Sequence, residues 1–313
     1  MKCQKCNSTD HELGAKYCHR CGTLLQTGTN KFKQPTTKVH PLKSINQKGM
    51  PSLTYIVNGV SFNMIKVEGG EGIEGVSLNH NYGGYCFYKD DFDSKYPEAL
   101  TMDRLQTYSQ GNFNWEKALR RFYVETFYIG ETTVTQELWN AVMLENGGKH
   151  TDRKEISEFM SDWLKGNDLP ITCNEGEENM FNLFIRKLNA ITGWKFSFPS
   201  KDQWTYAARG GKMSKGFKYA GSNNLDDVGW SVHNSWRTAR YDRDVHPVKT
   251  KLPNELGLYD MSGNVNEMCG SNGKKDFCFK GGSVFLLDYN SRVDIETSEI
   301  PYPGGLRLVL NNA

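Results

Sequence analysis

Cys3, Cys6, Cys18 and Cys21 form a C-x2-C-x11-C-x2-C pattern at the start of a 313-residue chain. Zinc takes four soft ligands in a tetrahedron, and each C-x-x-C turn supplies two thiolates pointing the same way. Two such turns facing each other across a short hairpin close the shell. Gly22 follows the last cysteine, where a tight knuckle favours positive φ. A piece this small buries too little apolar surface to fold alone, so the metal is expected to fold it. A redox pair or an accidental cluster are the competing accounts of the same spacing.

The other four cysteines, Cys86, Cys173, Cys269 and Cys278, are scattered and read as free thiols. Hydrophobic residues make up only 37%, yet aromatics reach 12% and there are 31 glycines. That balance excludes disorder throughout and suggests a loop-rich core held by Trp, Tyr and Phe. No apolar run is long enough to cross a bilayer, so no membrane role is expected. The start of the chain lacks an apolar segment of secretory type, which makes the cytoplasm the expected location. Residues 1–50 carry nine Lys/Arg against two Asp/Glu, so the net charge of +2 divides into +7 there and −5 in the rest. Any nucleic-acid contact is therefore expected only from this basic end. Residues 27–50 are rich in Thr, Lys, Gln, Asn and Pro and read as a flexible linker.

The main body, 51–313, begins with two β-rich runs around Asn58-Gly59, a strong hairpin signal. Gly70, Gly72 and Gly75 satisfy G-x-G-x-x-G, but no helix pattern follows, so no dinucleotide site is expected. Residues 76–115 read as an irregular insertion and Phe122–Gly130 as a strand. Thr133-x-x-Gln136 predicts a capping box for a helix bearing Leu138, Trp139, Val142 and Met143. A second helix is expected over Glu177–Thr192, where Met180, Phe181, Phe184, Ile185, Leu188 and Ile191 trace one face and Gly193 stops it. Ser200-x-x-Gln203 caps a third, ended by Gly210-Gly211. Beyond residue 212 only turns and short strands are expected, so the class is α+β.

Several ordered motifs in this body resemble one family. FYIGETTVTQELWNAVM, FSFPSKDQWTYAARGG, LPNELGLYDMSGNVNE, FKGGS and the closing GGLRLVL are similar to the corresponding segments of the formylglycine-generating enzyme (sulfatase-modifying factor) family. The resemblance runs from about residue 55 to 310 and implies a loop-rich C-type-lectin-like fold. YCHRCGTLL, in turn, resembles the end of short bacterial zinc ribbons, which makes residues 1–26 a zinc ribbon.

Oxidases of this family hold copper on two cysteines shortly after the GGS. The matching positions here are Leu286 and Ser291, neither of which offers a thiolate, so no copper is expected. Cys269 and Cys278 precede the motif and read as small buried hydrophobes. The seven histidines lack the H-x3-H-x-E spacing of the iron-using branch. His233 and His246 read as hydrogen-bonded structural residues. Asn264, Val265 and Glu267 match the family's calcium loop, and the same residues also suit a loop whose side chains satisfy backbone N–H groups. The usual Trp of that loop is Asn266 here. A first calcium site would fall on Trp230, Asn234 and Asp242, in poor register.

The leading expectation is a non-catalytic module that binds a protein or peptide ligand on a face built from Ser283, Leu286 and Ser291. Two alternatives stay open. One is an enzyme of altered or residual oxidase chemistry using Cys269 or Cys278. The other is a diversified receptor of the retroelement type, with residues 284–304 as its variable segment.

Overall fold

A computed structural model describes residues 38–75, 119–143, 166–173, 179–235, 245–270, 277–294, 296–297 and 304–311. The expected zinc ribbon 1–26, the expected insertion 76–115, Cys86 and Asp242 lie outside these residues. In chain order the strands are β1 (Leu42–Ile45), β2 (Pro51–Val57), β3 (Val60–Val67), β4 (Gly70–Gly75), β5 (Leu119–Val124) and β6 (Phe127–Gly130). Helices α1 (Gln136–Met143), α2 (Asn179–Thr192), α3 (Lys201–Ala208) and α4 (Leu225–Val228) follow. The later strands are β7 (Gly229–Trp230), β8 (Ser262–Gly263), β9 (Asn266–Gly270), β10 (Phe277–Lys280), β11 (Glu296–Thr297), β12 (Gly304–Gly305) and β13 (Val309–Leu310).

Asn58 and Gly59 both take positive φ, 49° and 87°, the two-residue turn whose twist matches the flanking strands. It sets the β2–β3 register, Val57 opposite Val60. β6 then pairs with β3, and β13 with β6, giving an antiparallel sheet in the order β1-β2-β3-β6-β13. Adjacent residues of its strands feed opposite faces, as a pleat requires. Met64 and Leu308 enter one buried cluster, while their neighbours Ile65 and Val309 enter another. Helices α1 and α2 close the first face with an aromatic group. Trp139 stacks on Phe184 at 5.0 Å and meets Phe181 edge-on at 5.9 Å, and Tyr55 meets Phe196 at 5.1 Å. The second face is closed by α3, which brings Trp204, Ala207 and Ala208, and by Leu256, Leu258 and Met261. A second sheet, in the order β11-β10-β9-β12, carries the strand that leads into the Gly281-Gly282-Ser283 segment.

Some boundaries differ from those read in the sequence. Phe122–Gly130 breaks after Val124: β5 pairs with β4 in a separate ribbon, while β6 enters the main sheet. The break falls at Glu125-Thr126, which carries no Gly or Pro to announce it. The C-terminal part of the expected linker is also structured. Val39 donates its N–H to Thr192, and the Trp194 indole N–H donates to the Val39 carbonyl at 2.7 Å. β1 pairs along its length with β2. All four β1 side chains are exposed, so no alternation marked it as a strand. α1 is capped by Thr135, whose hydroxyl accepts from the Leu138 N–H, rather than by Thr133. Val134 still exchanges backbone hydrogen bonds with Leu306 and Ile171, so the chain stays extended past Thr133. The Ser200–Gln203 box forms as read, with both reciprocal hydrogen bonds in place.

Trp139 joins α1 to α2 through its contacts with Phe181 and Phe184. Trp139→Ala is expected to destabilise the fold by about 3–5 kcal/mol, the range for removing a buried Trp or Phe. Urea unfolding should show this as a lower midpoint with little change in slope.

Candidate functional site

The segment after β10 is shaped by Gly281 and Gly282, both at positive φ. A Cβ on Gly282 would meet the Ser291 hydroxyl at 2.5 Å, so the chain here is folded tightly onto itself. Val284 N–H donates to the Asn264 carbonyl, Leu286 N–H to Ser283, and Val232 N–H to Leu286. A 3-10 turn, Asp288–Ser291, follows.

This packing sets the exposure of the three positions expected to bind a ligand. Ser283 and Ser291 are wholly buried, and Leu286 is half-buried. The surface is made instead by Leu287 and Tyr289, exposed by 46% and 40%, with Asp288 between them. The Asp288 carboxylate accepts the Ser231 hydroxyl and lies 2.9 Å from Nδ1 of His233. Ser, His and Asp thus meet, but in an order that does not activate the serine. Both Ser231 and His233 address the carboxylate, whereas a nucleophilic serine must give its proton to the imidazole. The arrangement holds His233 in a fixed orientation at the surface. Nearby on the same loops, Trp230 stacks on His246 at 3.7 Å, with the Lys251 ammonium 4.0 Å from the indole centroid. His233 is thus placed by the Asp288 carboxylate and His246 by ring stacking on Trp230.

The Asn264 and Glu267 positions test the calcium reading. Asn264 accepts the His246 N–H and donates to the His246 carbonyl, so its amide clamps one backbone stretch at both ends. Both Glu267 oxygens receive N–H donors: Oε1 from Arg307 at 2.6 Å, Oε2 from Arg307 at 2.8 Å and from the Trp204 indole at 2.6 Å. Val265 packs its side chain against Gly305 in the core. Calcium needs about six to eight oxygen ligands, and here the one carboxylate of the set is already paired with a buried cation. The residues present do not fit the ion. Asn234 of the other expected site donates to Asp226 and accepts the Ser231 N–H.

Arg307 and Glu267 are both fully buried. Arg307 also donates to the carbonyls of Gly130 and Tyr259. The sequence gives no sign of this pairing beyond the closing GGLRLVL motif that contains the arginine. Asp260 is another buried acid nearby. Burial, partly offset by the Lys249 N–H bond and the Arg307 charge, raises its pKa from 3.8 to about 6. Its Oδ1 has no hydrogen-bond partner among the described residues.

Comparison with known proteins follows the same outline. The model of the sulfatase-modifying factor enzyme 1-like domain matches residues 95–309. Chaperone protein LppX of Paenibacillus barcinonensis is 33% identical over 216 residues, 57% of this chain and 74% of its own. Among solved structures, Treponema denticola variable protein 1 is similar with a TM-score of 0.56 at 19% identity, covering 83% of this chain and 99% of its own. PvdO from Pseudomonas aeruginosa is similar at a TM-score of 0.50 and 15% identity, covering 88% and 99%. These two likenesses are likenesses of fold.

Two outcomes are expected from the buried charges. Arg307→Leu leaves Glu267 buried without its cation and should destabilise by about 3–5 kcal/mol. Asp260→Asn should act oppositely and with pH. A carboxyl whose folded pKa is raised contributes stability that is full below its unfolded pKa and is lost as pH rises through the folded one. Wild-type stability from this group therefore falls between about pH 4 and pH 6. The amide variant should gain up to about 3 kcal/mol on wild type across that window, and nothing further above it. Urea midpoints measured on both sides of the window would show no divergence if Asp260 were not the titrating group.

Proposed function

This chain belongs to the sulfatase-modifying factor enzyme 1-like family, and from that premise we propose that it is a non-catalytic member that binds a protein or peptide ligand. The carrying observation is the segment after Gly281-Gly282. The two positions that the family's oxidases fill with copper-binding cysteines hold Leu286 and Ser291, and Ser291 is wholly buried against Gly282. Leu287, Asp288 and Tyr289, with His233 held by Asp288, supply an exposed apolar and polar surface there. Exposed Tyr and Leu flanking a fixed charge suit recognition of a polypeptide better than a reaction at a buried centre. The 33% identity to a protein named as a chaperone supports a protein ligand.

Likeness in fold to a protein named as variable favours a second reading, in which the segment from residue 284 to 304 is diversified on a constant, lectin-like scaffold. In both readings the zinc ribbon of residues 1–26 is a separate module, held by Cys3, Cys6, Cys18 and Cys21, and the protein works in the cytoplasm.

Two measurements test this function. With copper supplied and a cysteine-containing peptide as substrate, oxygen uptake should stay at the protein-free rate. Metal-dependent turnover would overturn the non-catalytic reading. Elemental analysis of native protein should find about one zinc per chain, lost in the Cys3→Ser/Cys18→Ser variant, and zinc-free native protein would remove the ribbon.

A further inference from the structure

Cys269 and Cys278 lie directly opposite each other on the antiparallel pair β9–β10. Opposed residues on such strands have Cα atoms about 4.5–5.5 Å apart, inside the span of about 4.4–6.8 Å that a disulfide bridges. Both cysteines are reduced, and the Cys269 thiol donates to the Glu267 carbonyl at 3.6 Å, beside the opposed Cys278. Their accessibility differs: Cys269 is wholly buried and Cys278 is partly exposed. The next pair on the same face of these strands is Glu267 opposite Lys280, both buried.

We propose that Cys269 and Cys278 form a redox-active dithiol whose oxidising partner is a small-molecule disulfide of the glutathione type. This goes beyond the ligand-binding reading and does not depend on it. The exposed thiol reacts first. The Cys278 thiolate attacks one sulfur of the disulfide, forming a mixed disulfide, and the departing thiolate takes up the proton that Cys278 lost. The Cys269 thiolate then attacks Sγ of Cys278 and expels the second thiol. The pair loses two electrons and two protons, and the small disulfide gains them as two thiols. Burial pushes the Cys269 thiol up, with the Cys278 contact and the Glu267 charge adding to it and Lys280 opposing. The second step is therefore the slow one at neutral pH and quickens as pH rises. Once closed, the bond ties β9 to the strand that leads into the ligand-facing segment.

The test uses the intact chain under native conditions. Protein is incubated with excess oxidised glutathione, quenched in acid, alkylated and mapped by peptide mass spectrometry. The expected product is a linked peptide joining Cys269 to Cys278, forming faster at higher pH. Cys173, which sits in the other hydrophobic cluster, stays reduced. In Cys269→Ala, glutathione should remain on Cys278 as a stable adduct. Either of two wild-type results overturns the proposal: both thiols still reduced after long exposure, or glutathione retained on Cys278 with no link. The wild-type map decides alone if the variant does not fold.

Discussion

One guanidinium holds the two halves of this fold in register. Arg307 sits between β12 and β13, and so between the two main sheets. It donates to Gly130 on β6, to the Tyr259 carbonyl in the loop before β8, and twice to Glu267 on β9. Trp204 of α3 adds its indole N–H to the same carboxylate. A planar fork with donors fixed in direction can meet several acceptors at once, which a lysine could not do as well. Burying that charge is expensive unless every donor and acceptor is met. The elements that supply the partners must therefore arrive together. The loop from Val245 to Met261 is fastened around this centre by further polar contacts, including Lys249 to Glu131 and Lys249 N–H to Asp260.

Local signals in the sequence survive into the structure where the interaction is itself local. The Asn58-Gly59 turn and the Ser200–Gln203 box each lie within a few residues, and both form as read. Thr133 and Thr135 carry the same cap chemistry, and only the tertiary pairing of Val134 decides between them. β1 escapes notice because its exposed side chains carry no alternation. The Glu267–Arg307 pair joins residues 40 apart and leaves no periodic trace, so the motif residue Glu267 reads equally as a metal ligand or a structural acid. Cys269 and Cys278 look unrelated until the β9–β10 register sets them face to face.

The candidate face shows how a scaffold can keep its motif while changing its surface. Gly281, Gly282 and Ser283 still shape the chain, and the first residues after them are held by backbone hydrogen bonds to Asn264 and to Val232. Such bonds do not read side-chain identity. Leu287 and Tyr289 then reach solvent outside this backbone support, while Asp288 between them is tied to Ser231 and His233. Ser283 and Ser291, read as ligand-binding in the sequence, are buried beneath that surface.

The main sheet has a consequence for the order of assembly. Its interior strand β6, residues 127–130, is covered on one side by β3 and on the other by the edge strand β13, residues 309–310. The arginine that locks it, Arg307, lies only two residues before β13. During synthesis, β6 therefore waits as an open edge while nearly the whole of the intervening chain is made. Helices α1 and α2 can gather on one face early, through contacts close in sequence, but the sheet closes last. Such long-range closure is slow and leaves a strand edge that can pair wrongly with another chain. Selection on the short closing segment therefore acts on folding speed and escape from aggregation as well as on the finished structure.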